Sequence, residues 1–257
     1  MDQHPVSPTK KRRRGIYLLP NLFTTSALFA GFYGILSAMQ AHFEPAAIAI
    51  FAAMLLDGLD GRVARLTHTQ SDFGAEYDSL SDMVAFGIAP ALIAYEWALK
   101  DLGKGGWLAA FIYTATTALR LARFNTQLGV ADKRYFQGLP SPSAAAILAS
   151  GVWIGASQTL QGEWVPWVAA LLTVSAGLLM VSNFRYYSFK ELELRGRVSF
   201  VVAVVMTLSF AFLFLHPPVI LFLLFVVYGI SGPILTLMRR RQWRLRRRAA
   251  KDSAHSG

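Results

Sequence analysis

Apolar residues run along this chain in long unbroken blocks, without the short rhythm of a half-buried strand or a surface helix. "VSFVVAVVMTLSFAFLFL" and "PPVILFLLFVVYGISGPILTLM" approach the ~20 residues a helix needs to cross a bilayer. In lipid a helix satisfies its own backbone hydrogen bonds, so such blocks read as spanning helices. The pattern predicts spans over 16–39, 45–65, 75–98, 106–124, 142–158, 164–183, 198–215 and 218–238. The fold class is therefore an all-α integral membrane protein of about eight transmembrane helices, and an even number returns both termini to one side.

Composition agrees. The 257 residues are 54% hydrophobic and 16% charged, against about 25% charged in a typical soluble domain. The net charge of +10 raises the question of nucleic acid. Its distribution answers it: with both termini cytoplasmic, 23 of the 25 lysines and arginines fall on the cytoplasmic side, leaving only Lys100 and Lys104 outside. That is the positive-inside bias of a membrane protein, and no nucleic-acid partner is expected. Residues 1–15, "MDQHPVSPTKKRRRG", are too polar for a cleaved signal peptide and read as a disordered basic cytoplasmic tail. Residues 16–238 form a single transmembrane domain, and 239–257 a second basic cytoplasmic tail, either lying on anionic headgroups or anchoring the topology. Trp97, Trp107, Trp153, Trp164 and Trp167 fall near the outer span ends, where indole rings favour the interface. The absence of cysteine excludes disulfides and thiolate metal sites.

Against this greasy background, "DGLDGRVARLTHTQSDFGAEYDSLSD" carries Asp57, Asp60, Asp78 and Asp82. On a helix Asp57, Asp60, Gly61 and Ala64 share one stripe, and Asp78 and Asp82 share another. Helical rise puts Asp60 ~7 Å and Asp57 ~12 Å above the cytoplasmic mouth of the second span. By the same rise Asp78 and Asp82 stand ~6 Å and ~12 Å above that of the third. The two pairs meet at matched depth. Carboxylates so close cannot all stay ionised without compensation, and two divalent cations with oxygen ligands, Mg²⁺ or Mn²⁺, would supply it. Salt bridges to Arg62 and Arg65 are one alternative, and an ion relay in an ion-coupled transporter is another. Against the relay, the acids cluster at one mouth and none stands mid-membrane in spans five to eight.

The spacing Asp, two residues, Asp-Gly, two residues, Ala-Arg, eight residues, Gly, three residues, Asp, three residues, Asp is met at every position. It resembles the signature of the CDP-alcohol phosphatidyltransferase family. The resemblance implies that family's fold and an integral-membrane enzyme, usually a homodimer among membrane lipids, with two metals in a cytoplasm-facing cavity. It also implies a reaction that joins a CDP-linked lipid to an alcohol and releases CMP, here in a bacterial inner membrane. Carried over, Asp57, Asp60, Asp78 and Asp82 become the metal ligands, with Asp82 also the general base. Gly61, Ala64, Arg65 and Gly74 line the CDP moiety, and Ser71 lies where the family often places another nucleotide contact. "LPNLFTTSALFAGF" resembles the family's Pro-Asn-x-x-Thr element, which adds Asn21 and Thr24, two residues that local helix capping after Pro20 would also explain.

The acceptor must be read elsewhere. "SLSDMVAFGIAPA" at 79–91, "RLARFN" at 120–125, "FQGLPSPSAAA" at 136–146 and "SNFRYYSFKEL" at 182–192 resemble the membrane-integral, serine-accepting branch of the family. That branch implies CDP-diacylglycerol and L-serine as substrates. Glycerol 3-phosphate or inositol phosphate brings a dianion and usually an arginine cluster, whereas serine needs one cation for its carboxylate. Arg120, Arg123, Arg185 and Lys190 are available, each equally readable as a topology anchor; Arg120 and Arg123 rank first, near the depth of the aspartates.

Overall fold

In a computed structural model the chain is described over residues 18–126, 135–187 and 215–255. Its helices are α1 (Leu18–Met39), α2 (Phe43–Leu66), α3 (Asp72–Asp82), α4 (Ala89–Trp97), α5 (Lys104–Thr126), α6 (Ser141–Ser157), α7 (Trp164–Val181) and α8 (Pro217–His255). A π-helical turn, Met83–Ile88, joins α3 to α4, and a 3₁₀ turn, Leu99–Leu102, follows α4. Helix thus stands over seven of the eight predicted spans. The N-terminal tail, the interval 198–215 apart from Leu215, and Lys190 lie outside the described residues.

Among the described residues, three stretches are long and apolar enough to cross a membrane unaided: Leu19–Met39, Trp164–Val181 and Pro217–Met238. The other helices fall short for identifiable reasons. α2 carries the aspartates and arginines of the motif, α3 is short and acidic, and α6 has 17 residues.

The packing inverts that of a soluble protein. Its core is dominated by alanine, including Ala46, Ala47, Ala53, Ala85, Ala89, Ala144 and Ala145, while Phe29, Phe111, Trp167 and Leu171 point outward. Lipid offers no hydrophobic drive for helices to associate, so small residues that let backbones approach closely do the packing. Gly31 shows the limit: a Cβ there would stand 2.8 Å from Ala85 Cα. Trp97 and Trp153 are half-buried and pack against this core. A Cβ on Gly155 would collide with the Trp97 ring, and Trp153 packs 6.3 Å from Phe51, so both indoles serve the core. Trp107, Trp164 and Trp167 remain exposed.

Two prolines inside helical runs receive the same treatment. Pro233 in α8 has no amide to give the Gly229 carbonyl four residues back, and the buried Tyr186 hydroxyl donates to that oxygen at 2.9 Å. Pro90 likewise leaves the Phe86 carbonyl, which takes the buried Tyr113 hydroxyl at 3.0 Å. Neighbouring groups that re-satisfy freed carbonyls are what make proline tolerable in a membrane. Tyr186 belongs to a two-stranded antiparallel clip, β1 (Tyr135–Gln137) with β2 (Arg185–Tyr187), in which Phe136 pairs with Tyr186. Burial, with Tyr228 beside it, holds the Tyr186 phenol above its ordinary range, so it stays a donor. Gly138 closes the clip at φ +80°, where a Cβ would strike the Met180 carbonyl.

A candidate metal and nucleotide site

The site is built where the first turns of α1, the last turns of α2 and α5, and α3 come together. α2 presents Asp57 and Asp60 one turn apart, and α3 brings Asp78 opposite them. One carboxylate oxygen from each of these three lies within 4.8 Å of the others. Asp82 comes next, in hydrogen-bonding contact with Asp57 and close to Asp78. This is the predicted pairing at matched depth, Asp57 with Asp82.

α1 supplies the orienting groups. Thr24, itself buried, donates its hydroxyl to Asp60 Oδ2 at 2.6 Å. It therefore acts across helices, and local capping does not exhaust its role, although the Pro20 carbonyl also lies 3.2 Å from its hydroxyl. Ser81 donates to the Thr24 carbonyl at 3.0 Å and ties α3 to the same turn of α1. A Cβ on Gly74 would stand 3.2 Å from Ser71 Oγ and 3.7 Å from Asn21 Oδ1, so Asn21, Ser71 and Gly74 share one recess. Ser71 is also the N-cap of α3, accepting from the Gly74 amide at 3.1 Å. Gly61 leaves open space beside the cluster, with Arg65 Nη1 the nearest group at 3.6 Å. Ala64, three residues on, is half-buried on the same stripe.

The predicted cations separate. Arg120, half-buried on α5, donates to Ser141 Oγ at 2.8 Å and lies within electrostatic reach of Asp82. Its Nε is buried without a hydrogen-bond partner among the described residues. Arg123, one turn later, turns away and donates to the Val181 carbonyl at 3.1 Å, capping α7. Arg185 is exposed on β2. Sequence reasoning missed three contacts: Ser79 with Asn125 at 3.0 Å, Thr25 with Tyr77 at 2.9 Å, and Ser141 beneath Arg120. Each joins residues far apart in the chain; only the polar character of helix faces hinted at them.

The donor set decides what the cluster can hold. Salt bridging to Arg62 and Arg65 fails: both are exposed, and among the described residues neither forms an ion pair with these carboxylates. Oxygen ligands converging from two helices fit a hard divalent cation, and the open stripe at Gly61 leaves room for a diphosphate beside it.

Comparison with known proteins agrees with this chemistry. Residues 17–175 match the family model of CDP-alcohol phosphatidyltransferases. The CDP-diacylglycerol–serine O-phosphatidyltransferase of Helicobacter pylori (strain ATCC 700392 / 26695) is 39% identical over 207 residues, covering 80% of this chain and 84% of that protein. The proteins of the same name from Mycobacterium tuberculosis (strain ATCC 25618 / H37Rv) and Bacillus subtilis (strain 168) are 30% and 33% identical. These alignments cover 92% and 67% of this chain, and 83% and 92% of the relatives.

Proposed function

The chain belongs to the CDP-alcohol phosphatidyltransferase family, and on that premise we propose that it transfers the phosphatidyl group of CDP-diacylglycerol to the hydroxyl of L-serine, giving phosphatidylserine and CMP. The observation that carries this reading is the convergence of Asp57, Asp60 and Asp78 within 4.8 Å, with Asp82 against them. These four carboxylates would hold two divalent cations, Mg²⁺ or Mn²⁺. When bound, the cations supply charge neutralisation for the diphosphate and for departing CMP.

The chain's own residues do the rest. Asn21, Ser71 and Gly74 shape the recess for cytidine and ribose, and Gly61 and Ala64 keep the diphosphate approach clear. Arg65, over Gly61, faces phosphate. Asp82 accepts the proton of the serine hydroxyl as its oxygen attacks the lipid-bearing phosphorus. The bond from that phosphorus to the CMP oxygen breaks, and CMP leaves with the electron pair. Arg120 holds the serine carboxylate. It brings one guanidinium beside Asp82, which suits a carboxylate, while Arg123 and Arg185 are directed elsewhere and no arginine cluster forms for a phosphate dianion among the described residues.

The wider setting follows from charge and family. Eight spans with both termini and the aspartates on the cytoplasmic side of a bacterial inner membrane fit the lysine and arginine distribution, and a homodimer is the family's usual assembly. The deciding experiment offers labelled serine, glycerol 3-phosphate and inositol with CDP-diacylglycerol in micelles. Product from serine alone is expected, and Arg120→Gln raises the KM for serine by about tenfold or more, the loss of one charge-assisted contact. Turnover of glycerol 3-phosphate without serine overturns the acceptor assignment.

A further inference from the structure

Helix α3 does not run straight into α4. Immediately after Asp82 the chain widens into the π turn Met83–Ile88, a rare geometry that recurs at functional sites. The turn has a visible support. Pro90 denies the Phe86 carbonyl its usual donor four residues on, and Tyr113 of α5, fully buried, donates its hydroxyl there at 3.0 Å.

From this geometry we infer that Tyr113 is a positioning residue for the transfer reaction: together with Pro90 it maintains the wide turn that sets the rotation of Asp82 against Asp57. The inference rests on the phosphatidyl-transfer reading of the aspartate cluster.

Fixed contacts on both sides of the turn leave little slack. Upstream, Ser81 is bonded to the Thr24 carbonyl at 3.0 Å. Within the turn, Ala85 lies under Gly31 of α1, and Gly87 sits against Met83 and Thr117, where a Cβ would come within 3.2 Å of each. Downstream, Ala89 and Ile93 are fully buried in the core. A π turn accommodates one residue more than an α turn, and each residue of an α-helix rotates its successors by about 100°. Winding the segment as α-helix would swing either Asp82 away from Asp57 or Ala89 and Ile93 out of the core. Tyr113 also lies within electrostatic reach of Arg120, so one side chain braces the helix of the general base beside the cation for the acceptor.

The test uses the full chain in micelles and three readouts: CMP release, melting temperature, and Mn²⁺ titration followed by electron paramagnetic resonance. Tyr113→Phe is expected to lower kcat about tenfold or more while leaving the KM for CDP-diacylglycerol unchanged, because the reacting geometry and not ground-state binding is disturbed. Mn²⁺ affinity should fall roughly tenfold, as when a group supporting metal ligands is removed. Pro90→Ala returns an amide donor to the Phe86 carbonyl. It is expected to keep or raise the melting temperature and still lower kcat, and adding Tyr113→Phe to it should cost no further stability. A Pro90→Ala protein with wild-type kcat and Mn²⁺ affinity overturns the inference. That variant alone decides if Tyr113→Phe does not accumulate. Absence of CMP release by the unmodified protein would instead overturn the reaction assignment, and the Mn²⁺ titrations would still judge the positioning claim.

Discussion

In the proposed reaction Asp82 is the residue on which the chemistry turns, and it lies within electrostatic reach of Asp57, Asp78 and Arg120 alike. Asp82→Asn keeps volume and most hydrogen-bonding capacity but removes the base. CMP release should fall at least about 10²-fold, at the lower bound for losing general-base catalysis, while the purified protein still elutes and melts as a folded species. Residual turnover near the wild-type rate would remove Asp82 from that role. The motif was legible at this scale because its spacing encodes helical phase: Asp57 and Asp60 one turn apart, Asp78 and Asp82 one turn apart. The roles of Arg120 and Arg123 were not. One turn separates them in sequence, yet one faces Asp82 and the other caps α7, a division set by where Val181 and Ser141 arrive from distant parts of the chain.

Elements were legible where hydropathy alone decides them. The predicted boundaries of the second, fourth and fifth spans lie within two residues of α2, α5 and α6. The π turn and the β1–β2 clip were invisible for a common reason: each depends on a donor or a partner strand supplied from elsewhere in the chain. Close approach between elements yields its own prediction. At Gly31, where α1 lies on the backbone of Ala85, Gly31→Val adds volume with nowhere to go. Overpacking of this kind costs about 1–3 kcal/mol and would push α3 and α4 off α1, taking Ser81 from the Thr24 carbonyl. Melting temperature and CMP release should drop together. Gly58→Val, at a position where a Cβ meets nothing within 4 Å, is the control that should preserve the fold.

For the whole molecule, the acidic cluster is expected to make stability depend on cations. Carboxylates held within 4.8 Å of one another repel unless neutralised, so an ion that binds only the folded state adds about 2.7 kcal/mol at a hundred times its dissociation constant. Chelation with EDTA should lower the melting temperature in micelles, and Mg²⁺ or Mn²⁺ should restore it. In Asp57→Asn the cation response should shrink. An unchanged melting curve on chelation would remove the metal from the site. The helical architecture of the described residues was readable from the chain because lipid imposes one rule on every span, but the packing of Trp97 and Trp153 against the core was not, since interfacial and core indoles share the same sequence context.

Helix α8 has a consequence of scale. Its 39 residues extend ~58 Å, nearly twice the ~30 Å of a bilayer's hydrocarbon layer. Hydropathy divides it at Met238, yet the backbone does not break there: the arginine-rich half is the unbroken continuation of the membrane half. Such a rod is tied to the strand pair by the Tyr186 hydroxyl on the Gly229 carbonyl and the Arg185 amide on the Thr236 hydroxyl. A change in bilayer thickness that alters its tilt is expected to reach the strand pair through these contacts.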